Sequence, residues 1–367
     1  MAKKSDLGKF ISQELKRQEM LSREWYSLRG MLSYSWAMFL FLLGGREAGK
    51  SYAVTDFYVS QWKQRSRPFY WLRLTETSAG KLLMNNAEKL IDPDIRRRWN
   101  LDLVTVGDAV YEVTKRAKPK DDGRPGKIIE KKLMARVLAL NTFYNDKGSG
   151  LFDKDFLNDP NMYYNICLDE MNREQNEKNS FDIVYAFANQ VENIVRSTKK
   201  RIRIICIGNT LEEASDILTA FNFIPENFGR FKLKKKKAVI EYIEPSEKYK
   251  KRREGTAADI LSGNSSTFTN VIDVDRTLVS KKRLRKPSYI VAFTNTDKFT
   301  VWDGNVVAPY NKEQCNVIAM RPYLDYLFEV KARDTVIHLF DTRSYRFRNL
   351  VTQKIFKKNL ALLKPRK

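Results

Sequence analysis

The eight residues Gly44 to Ser51, GGREAGKS, constrain this chain more than any other stretch. They fit the spacing G-x-x-x-x-G-K-[ST] and directly follow the apolar run Met38-Phe39-Leu40-Phe41-Leu42-Leu43. A glycine-rich turn between a buried strand and a helix lets successive backbone N–H groups converge on phosphate oxygens. Gly44, Gly45, Arg46, Glu47, Ala48 and Gly49 would form that cradle. Lys50 would add a point charge and Ser51 a hydroxyl for Mg2+, with Tyr52 next on the same turn. A helix opening near Lys50 aims its positive end at the same place. The expectation is an α/β domain that binds a nucleoside triphosphate, with ATP and Mg2+ as the ligands.

A phosphate loop needs a partner that holds the metal and, in a hydrolase, one that activates water. The segment Asn165-Ile166-Cys167-Leu168-Asp169-Glu170 offers both in adjacent positions. An apolar strand there would deliver Asp169 to the carboxyl edge of a sheet to orient Mg2+. Glu170 would then face the γ-phosphate and position or deprotonate the attacking water. The separation of Lys50 and Asp169 leaves room for further strands between the two motifs. No guanine-reading N-K-x-D is present, since Asn295-Thr296-Asp297-Lys298 has the wrong order.

Length and charge bound the rest. A chain of 367 residues is expected to hold two domains and a linker. Its 67 Lys plus Arg against 44 Asp plus Glu give a net charge of +23, which argues for a polyanionic partner, nucleic acid first. The longest apolar run, near residues 36–43, falls far short of the ~20 residues that span a bilayer, so no membrane partner is expected. MAKKSDLGKF has no apolar signal core, which places the protein in a cytoplasm. Three scattered cysteines, Cys167, Cys206 and Cys315, support neither a disulfide framework nor a zinc site. The single histidine, His338, lies in an apolar stretch and is expected to be packed, so histidine-based hydrolysis is excluded.

Residues 5–35 read as a polar helical lead-in. Apolar segments then recur: FLFLL, FYWLRL (69–74), LVTV (103–106), VLAL (137–140), YYNICL (163–168) and IRIICIG (202–208). Interspersed helical patterns indicate a largely parallel sheet covered on both faces. Residues 115–132 read as a protruding basic hairpin in which Lys118, Lys120, Arg124 and Lys127 would touch DNA phosphates. The boundaries expected are an ATPase domain over 1–212, a basic linker or lid over 213–255, and a C-terminal domain over 256–367. In that last domain SYIVAFTNT and KFTVWDGNVVAP alternate like antiparallel strands with a turn at Asp303-Gly304, and a basic helix from about Ser344 to Leu363 closes the chain.

Two further residues follow from placement. Asn209, ending the strand RIRIICIGNT, is a candidate sensor of the γ-phosphate or its water. Arg196 precedes that strand, near its start rather than its catalytic end. It could not reach its own subunit's γ-phosphate, but in a ring it could stabilise transition-state charge on a neighbour's.

With these pieces in order, the chain resembles the DNA packaging ATPases of phi-29-type bacteriophages. MLSYSWAMFLFLLGGREAGKSYA is similar to that family's phosphate-loop region, NICLDEMNRE to its Mg2+ and glutamate strand, and ENIVRSTKKRIRIICIGNT to its arginine-finger and sensor segment. The resemblance runs over residues 31–231 and is weak beyond them. It implies a P-loop NTPase of the additional-strand catalytic-glutamate type, with a smaller C-terminal α+β domain resembling a vestigial ribonuclease-H-like nuclease. It further implies a homopentameric ring that drives double-stranded DNA into a preformed head. The work would be done in the host cytoplasm, transiently at the portal vertex of the prohead, with a portal or connector protein and a structural RNA as docking partners. Asp169 is implied for Mg2+, Glu170 for water activation, Arg196 as the trans-acting finger, and Lys147 as a second trans-acting candidate. Asp273, Asp275 and Asp341 could in principle mimic a nuclease cluster, which keeps a helicase or a terminase with a live nuclease as the alternative. A non-enzymatic assembly protein using nucleotide as a switch is a third reading, disfavoured by Glu170 next to Asp169.

Overall fold

The computed structural model describes residues 18–19, 23–118, 125–145, 163–172, 181–195, 201–209, 215–262, 276–293, 297–311 and 332–363. The chain divides into two compact units, Met1–Leu211 with Asn227–Ile272, and Glu212–Glu226 with Asp273–Lys367.

The first unit is built on nine strands: β1 (Phe39–Gly44), β2 (Phe69–Arg73), β3 (Leu103–Val106), β4 (Ala109–Arg116), β5 (Ile128–Ala139), β6 (Tyr163–Asp169), β7 (Arg201–Asn209), β8 (Gly229–Leu233) and β9 (Ala238–Tyr242). They pair in the order β3-β4-β5-β2-β6-β7-β1-β9-β8. The run from β5 to β9 is parallel throughout, and antiparallel strands extend it at both edges. Strands β2 to β5 occupy the sequence between the two motifs, and β7, which follows both, lies between β1 and β6 in the sheet.

Helices α1 (Lys50–Arg65), α2 (Glu76–Ala87), α3 (Pro93–Trp99) and α4 (Ile183–Val195) connect these strands. On one sheet face Leu40, Leu42, Phe69, Trp71, Cys167, Ile205 and Ile207 form a core with Val54, Tyr58, Val59 and Trp62 of α1. The alternate residues Phe41, Leu43, Tyr70, Leu72, Ile166, Leu168, Ile204 and Cys206 are buried as well, so both faces are covered. Each such side chain contributes about 1.5–3 kcal/mol on burial. The four residues from Leu40 to Leu43 therefore hold the start of the phosphate loop firmly in place.

Much of the expected linker, residues 229–253, is instead folded into the first unit. β9 pairs in parallel with β1, and β8 pairs with β9. Every residue of AVIEY is buried, whereas Lys234, Lys235, Lys236 and Lys237 fall on the exposed turn between the two strands. Composition averaged over turn and strand hid five core positions behind surface charge. The arginine-rich part forms helix α5 (Glu247–Arg253). Among the described residues from 215 to 226, a helix forms at Asp216–Ala220, within the second unit. In the lead-in, helix among the described residues beyond 22 is limited to the turn Arg29–Leu32.

The basic hairpin forms as expected from β4 and β5. Gly126 is required there, because a Cβ would lie 2.1 Å from the carbonyl oxygen of Ala117. Lys118 and Lys127 are exposed; Lys120 and Arg124 lie outside the described residues.

The second unit carries a sheet of β10 (Pro287–Ala292), β11 (Lys298–Trp302), β12 (Val306–Pro309) and β13 (Arg346–Phe347), paired in that order. Asp303 and Gly304 turn the β11–β12 hairpin at φ 49° and 86°, the positive values a tight hairpin needs. Phe293, Phe299, Phe347 and Phe356 pack edge to face in its core, with α6 (Ala332–Asp341) and α7 (Leu350–Leu363) contributing Val336 and Leu360. The closing helix starts at Leu350 rather than Ser344, because Arg346 and Phe347 pair with β12 instead. His338 is exposed on α6 rather than packed, and Asp341 is exposed at that helix's end; Asp273 and Asp275 lie outside the described residues. Among the described residues no helix is long and apolar enough to cross a membrane.

Candidate nucleotide site

β1 ends at Gly44 on the carboxyl edge of the sheet, and the chain turns through residues 45–49 into α1. Gly49 makes that turn at φ 85°, left-handed, and a Cβ on it would come within 3.2 Å of the Trp25 ring. Thr75, Asp92 and Ser246 cap α2, α3 and α5 with side-chain oxygens, but α1 opens on Gly49 with no side-chain cap. Its first amides and its dipole are thereby offered to an anion. Lys50 is 5% exposed, and its ammonium donates to the carbonyls of Gly44 at 2.8 Å and Gly45 at 2.5 Å. Burial lowers its pKa to about 8; Asp169 opposes that shift and Arg46 adds to it.

The carboxyl edge gathers the remaining groups by register. Gly44 pairs with Asn209, and both Leu42 and Asp169 pair with Ile207, so loop, acid and sensor candidate stand at one end of the sheet. The Ser51 hydroxyl donates to Asp169 Oδ1 at 3.3 Å across the intervening strand. Burial raises the Asp169 carboxyl pKa against the opposing charge of Arg73. Glu170 turns off the strand at φ 55°, a left-handed value unusual for a residue with a side chain, and its N–H donates to Asp169 Oδ1 at 3.1 Å. Asn209 presents its backbone carbonyl to Asn172 Nδ2 at 3.2 Å. Tyr52 donates its hydroxyl to Asp94 at 2.7 Å.

A cleft of about 380 Å³ is lined by every residue from Arg46 to Tyr52 together with Arg73, Asp169, Glu170, Ile207 and Asn209. Arg73 was not expected from the sequence. It ends β2, whose Leu72 pairs with Leu168, and its guanidinium lies 3.0 Å from Asp169 Oδ2 while also ion-pairing with Glu170. Burial works against its charge, but the two carboxylates hold its pKa above the ordinary range. The available signal was FYWLRL, where an arginine ends an otherwise apolar strand and has only the sheet edge to turn to. Arg196 and Lys147 lie outside the described residues.

The donor set fits a hard divalent cation. Ser51 and Asp169 supply two converging oxygens, and among the described residues no group of three His, Cys, Asp or Glu could hold a metal by itself. Two protein oxygens, completed by water and phosphate, suit Mg2+ rather than zinc.

No protein-family profile matches the chain. Similarity to individual proteins agrees with the resemblance drawn from the motifs. The chain is 22% identical over 282 residues to a DNA packaging protein of Bacillus phage phi29, covering 76% of this chain and 75% of that one. Among solved structures it is similar to the bacteriophage Phi-29 viral genome packaging motor assembly, with a TM-score of 0.59 and 19% identity over 93% of this chain and 100% of that one. The Phi-28 DNA packaging motor aligns with a TM-score of 0.57 and 14% identity, covering 94% and 100%. At these identities the likeness to solved structures establishes a shared fold, an α/β architecture with a large, mostly parallel sheet.

Proposed function

We propose that this chain is an ATP-driven translocase of double-stranded DNA of the phage packaging type, working as a ring on a prohead. The observation that carries the catalytic part is the meeting of Ser51 and Asp169 across β7, with Glu170 and the phosphate loop in the same cleft. A bland turn between strand and helix would have no reason to face a second strand's carboxylates.

In this reading the loop amides from Arg46 to Ser51 and the Lys50 ammonium hold the β- and γ-phosphates. Ser51 and Asp169 hold Mg2+, which when bound offsets charge on the phosphate oxygens. Glu170 accepts a proton from the water that attacks the γ-phosphorus, and Asn209 orients that water. Arg73 fixes Asp169 and holds Glu170 beside it until the carboxylate turns to the water. Val195 ends α4 and Arg201 begins β7 at the edge opposite the cleft, which supports a role for Arg196 on a neighbouring subunit's nucleotide rather than its own. The net charge of +23 and the exposed Lys118 and Lys127 support DNA as the polyanion.

The decisive experiment is a steady-state ATPase assay with and without double-stranded DNA, on wild type, Lys50→Ala and Glu170→Gln. DNA-stimulated turnover lost in both variants is the expected result. Robust turnover in both would contradict the assignment.

A further inference from the structure

An anion cradle that turns its N–H groups inward points its carbonyls outward, and here three consecutive outward carbonyls are each taken by a donor. The carbonyl of Arg46 accepts from the Tyr249 hydroxyl at 2.9 Å and from Arg253 Nη1 at 3.1 Å. That of Glu47 accepts from Arg252 Nη2 at 2.7 Å, and that of Ala48 from the backbone N–H of Tyr26 at 3.0 Å. None of these donors belongs to the phosphate-loop motif. They come from residues just before β1 and from α5, which follows β9.

Each donor is itself anchored. Tyr249 and Arg253 are buried, at 3% and 4% exposure, so this part of the charge run is not a solvated surface. Arg252 stacks over the Trp25 ring at 3.7 Å from its centroid, and that ring in turn lies against Gly49. Tyr26 donates its hydroxyl to Glu241 at 2.6 Å, a carboxylate only 2% exposed on β9 that also receives Arg230. The loop needs such support, because Glu47 at its tip is left-handed at φ 62° and Gly49 follows at 85°.

We propose that Tyr249, Arg252 and Arg253, together with Tyr26, are positioning residues for the phosphate loop. They fix its carbonyls from outside and so preset its amides for phosphate, which makes α5 part of the nucleotide site rather than of a connector. The inference rests on the reading of this loop as a triphosphate site.

The test uses the full-length protein, titrated with a fluorescent ADP analogue in Mg2+ and assayed for ATP turnover. The variants are Tyr249→Phe, Arg252→Ala, Arg253→Ala and Arg253→Lys. Tyr249→Phe and Arg252→Ala, each losing one hydrogen bond to a loop carbonyl, should weaken ADP binding about threefold, and Arg253→Ala roughly tenfold. The KM for ATP should rise in parallel while kcat stays within about twofold, because these contacts are equal in ground and transition states. Arg253→Lys, which keeps one donor, should recover part of the loss. Arg253→Ala also removes a buried side chain, so Tyr249→Phe and Arg252→Ala carry the test wherever thermal melting shows that variant to be unfolded. Wild-type binding with unchanged Kd and KM in folded variants overturns the positioning role alone. A fall in kcat at constant KM overturns it too, and a wild type that binds no nucleotide overturns the reading of the site and the proposal with it.

Discussion

Replacing Glu170 with glycine removes three things together: a carboxylate, an ion pair with Arg73, and a side chain carried on left-handed backbone at φ 55°. Their energies can be set against one another. Relief of the left-handed conformation is worth about 1–2 kcal/mol. The greater freedom of glycine in the unfolded chain costs about 0.5–1 kcal/mol. The Glu170 side chain is 54% exposed, so its pairing with Arg73 is screened and contributes about 0–1 kcal/mol. Arg73 keeps Asp169 at 3.0 Å and is not left uncompensated. The sum leaves Glu170→Gly within about 1 kcal/mol of wild type, with ATP turnover lower by about 10²–10⁴-fold if Glu170 is the base. Glu170→Gln keeps the strained backbone and should lose the turnover without any gain in stability. Equilibrium urea denaturation and a coupled ATPase assay measure the two quantities. A loss of more than about 2 kcal/mol in the glycine variant, or turnover above about a tenth of wild type, would refute the claim that this position is held strained for chemistry.

Four other outcomes are expected. Lys50 has its folded-state pKa lowered to about 8 from 10.5, so its charged form costs stability below pH 8 and that cost fades as pH rises towards 10.5. Without nucleotide, wild type should gain about 2 kcal/mol relative to Lys50→Met between pH 8 and pH 10, and a flat difference in denaturation free energy would contradict the burial of the charge. Arg73→Ala leaves the buried Asp169 without its main counter-charge and should cost about 3 kcal/mol, with weaker Mg2+ dependence of turnover; a loss below about 1 kcal/mol would mean that the pair is not structural. Replacing Lys118, Lys120, Arg124 and Lys127 with alanine should flatten the slope of log K against log salt for DNA by about 3–4, and an unchanged slope would remove the hairpin from the DNA interface. Arg196→Ala subunits doped into wild type should depress activity faster than in proportion to their fraction, whereas strict proportionality would assign the arginine to its own subunit.

What the sequence made legible was local and what it hid was pairing. GGREAGKS and NICLDE stand out because the phosphate loop and the metal-bearing strand end proposed for them have fixed residue requirements. The strands from FLFLL to IRIICIG stand out because both faces of a parallel sheet are apolar. Nothing in AVIEY says that it will pair with β1 rather than bridge two domains, and the lysines around it pointed to a connector. Arg73 escaped for a related reason. An arginine at position 73 declares a charge, but its partners Asp169 and Glu170 are nearly a hundred residues away and meet it only through the β2–β6 register. The brace from Tyr249 to Arg253 was hidden twice over, since EKYKKRR reads as surface and its acceptors are backbone carbonyls that no sequence displays.

The internal pairings of the cleft also bear on how it would hold a triphosphate. Lys50 is occupied by two neutral carbonyls, a poor exchange for the water it has lost, and its lowered pKa records that deficit. Phosphate oxygens carry full charge and make stronger hydrogen bonds with an ammonium than carbonyls do. If they restore Lys50 to its ordinary 10.5, the change from about 8 corresponds to about 3 kcal/mol, a few hundredfold in affinity. The burial that makes Lys50 costly in the free protein is therefore the same burial that makes it selective, because only a ligand that brings dense negative charge into the loop recovers the cost. Arg73 differs, since Asp169 and Glu170 already pair its charge and a nucleotide gains little by competing for it. The two cations thus divide the work: Lys50 is poised to bind the incoming charge, and Arg73 keeps the acids in order while it does so.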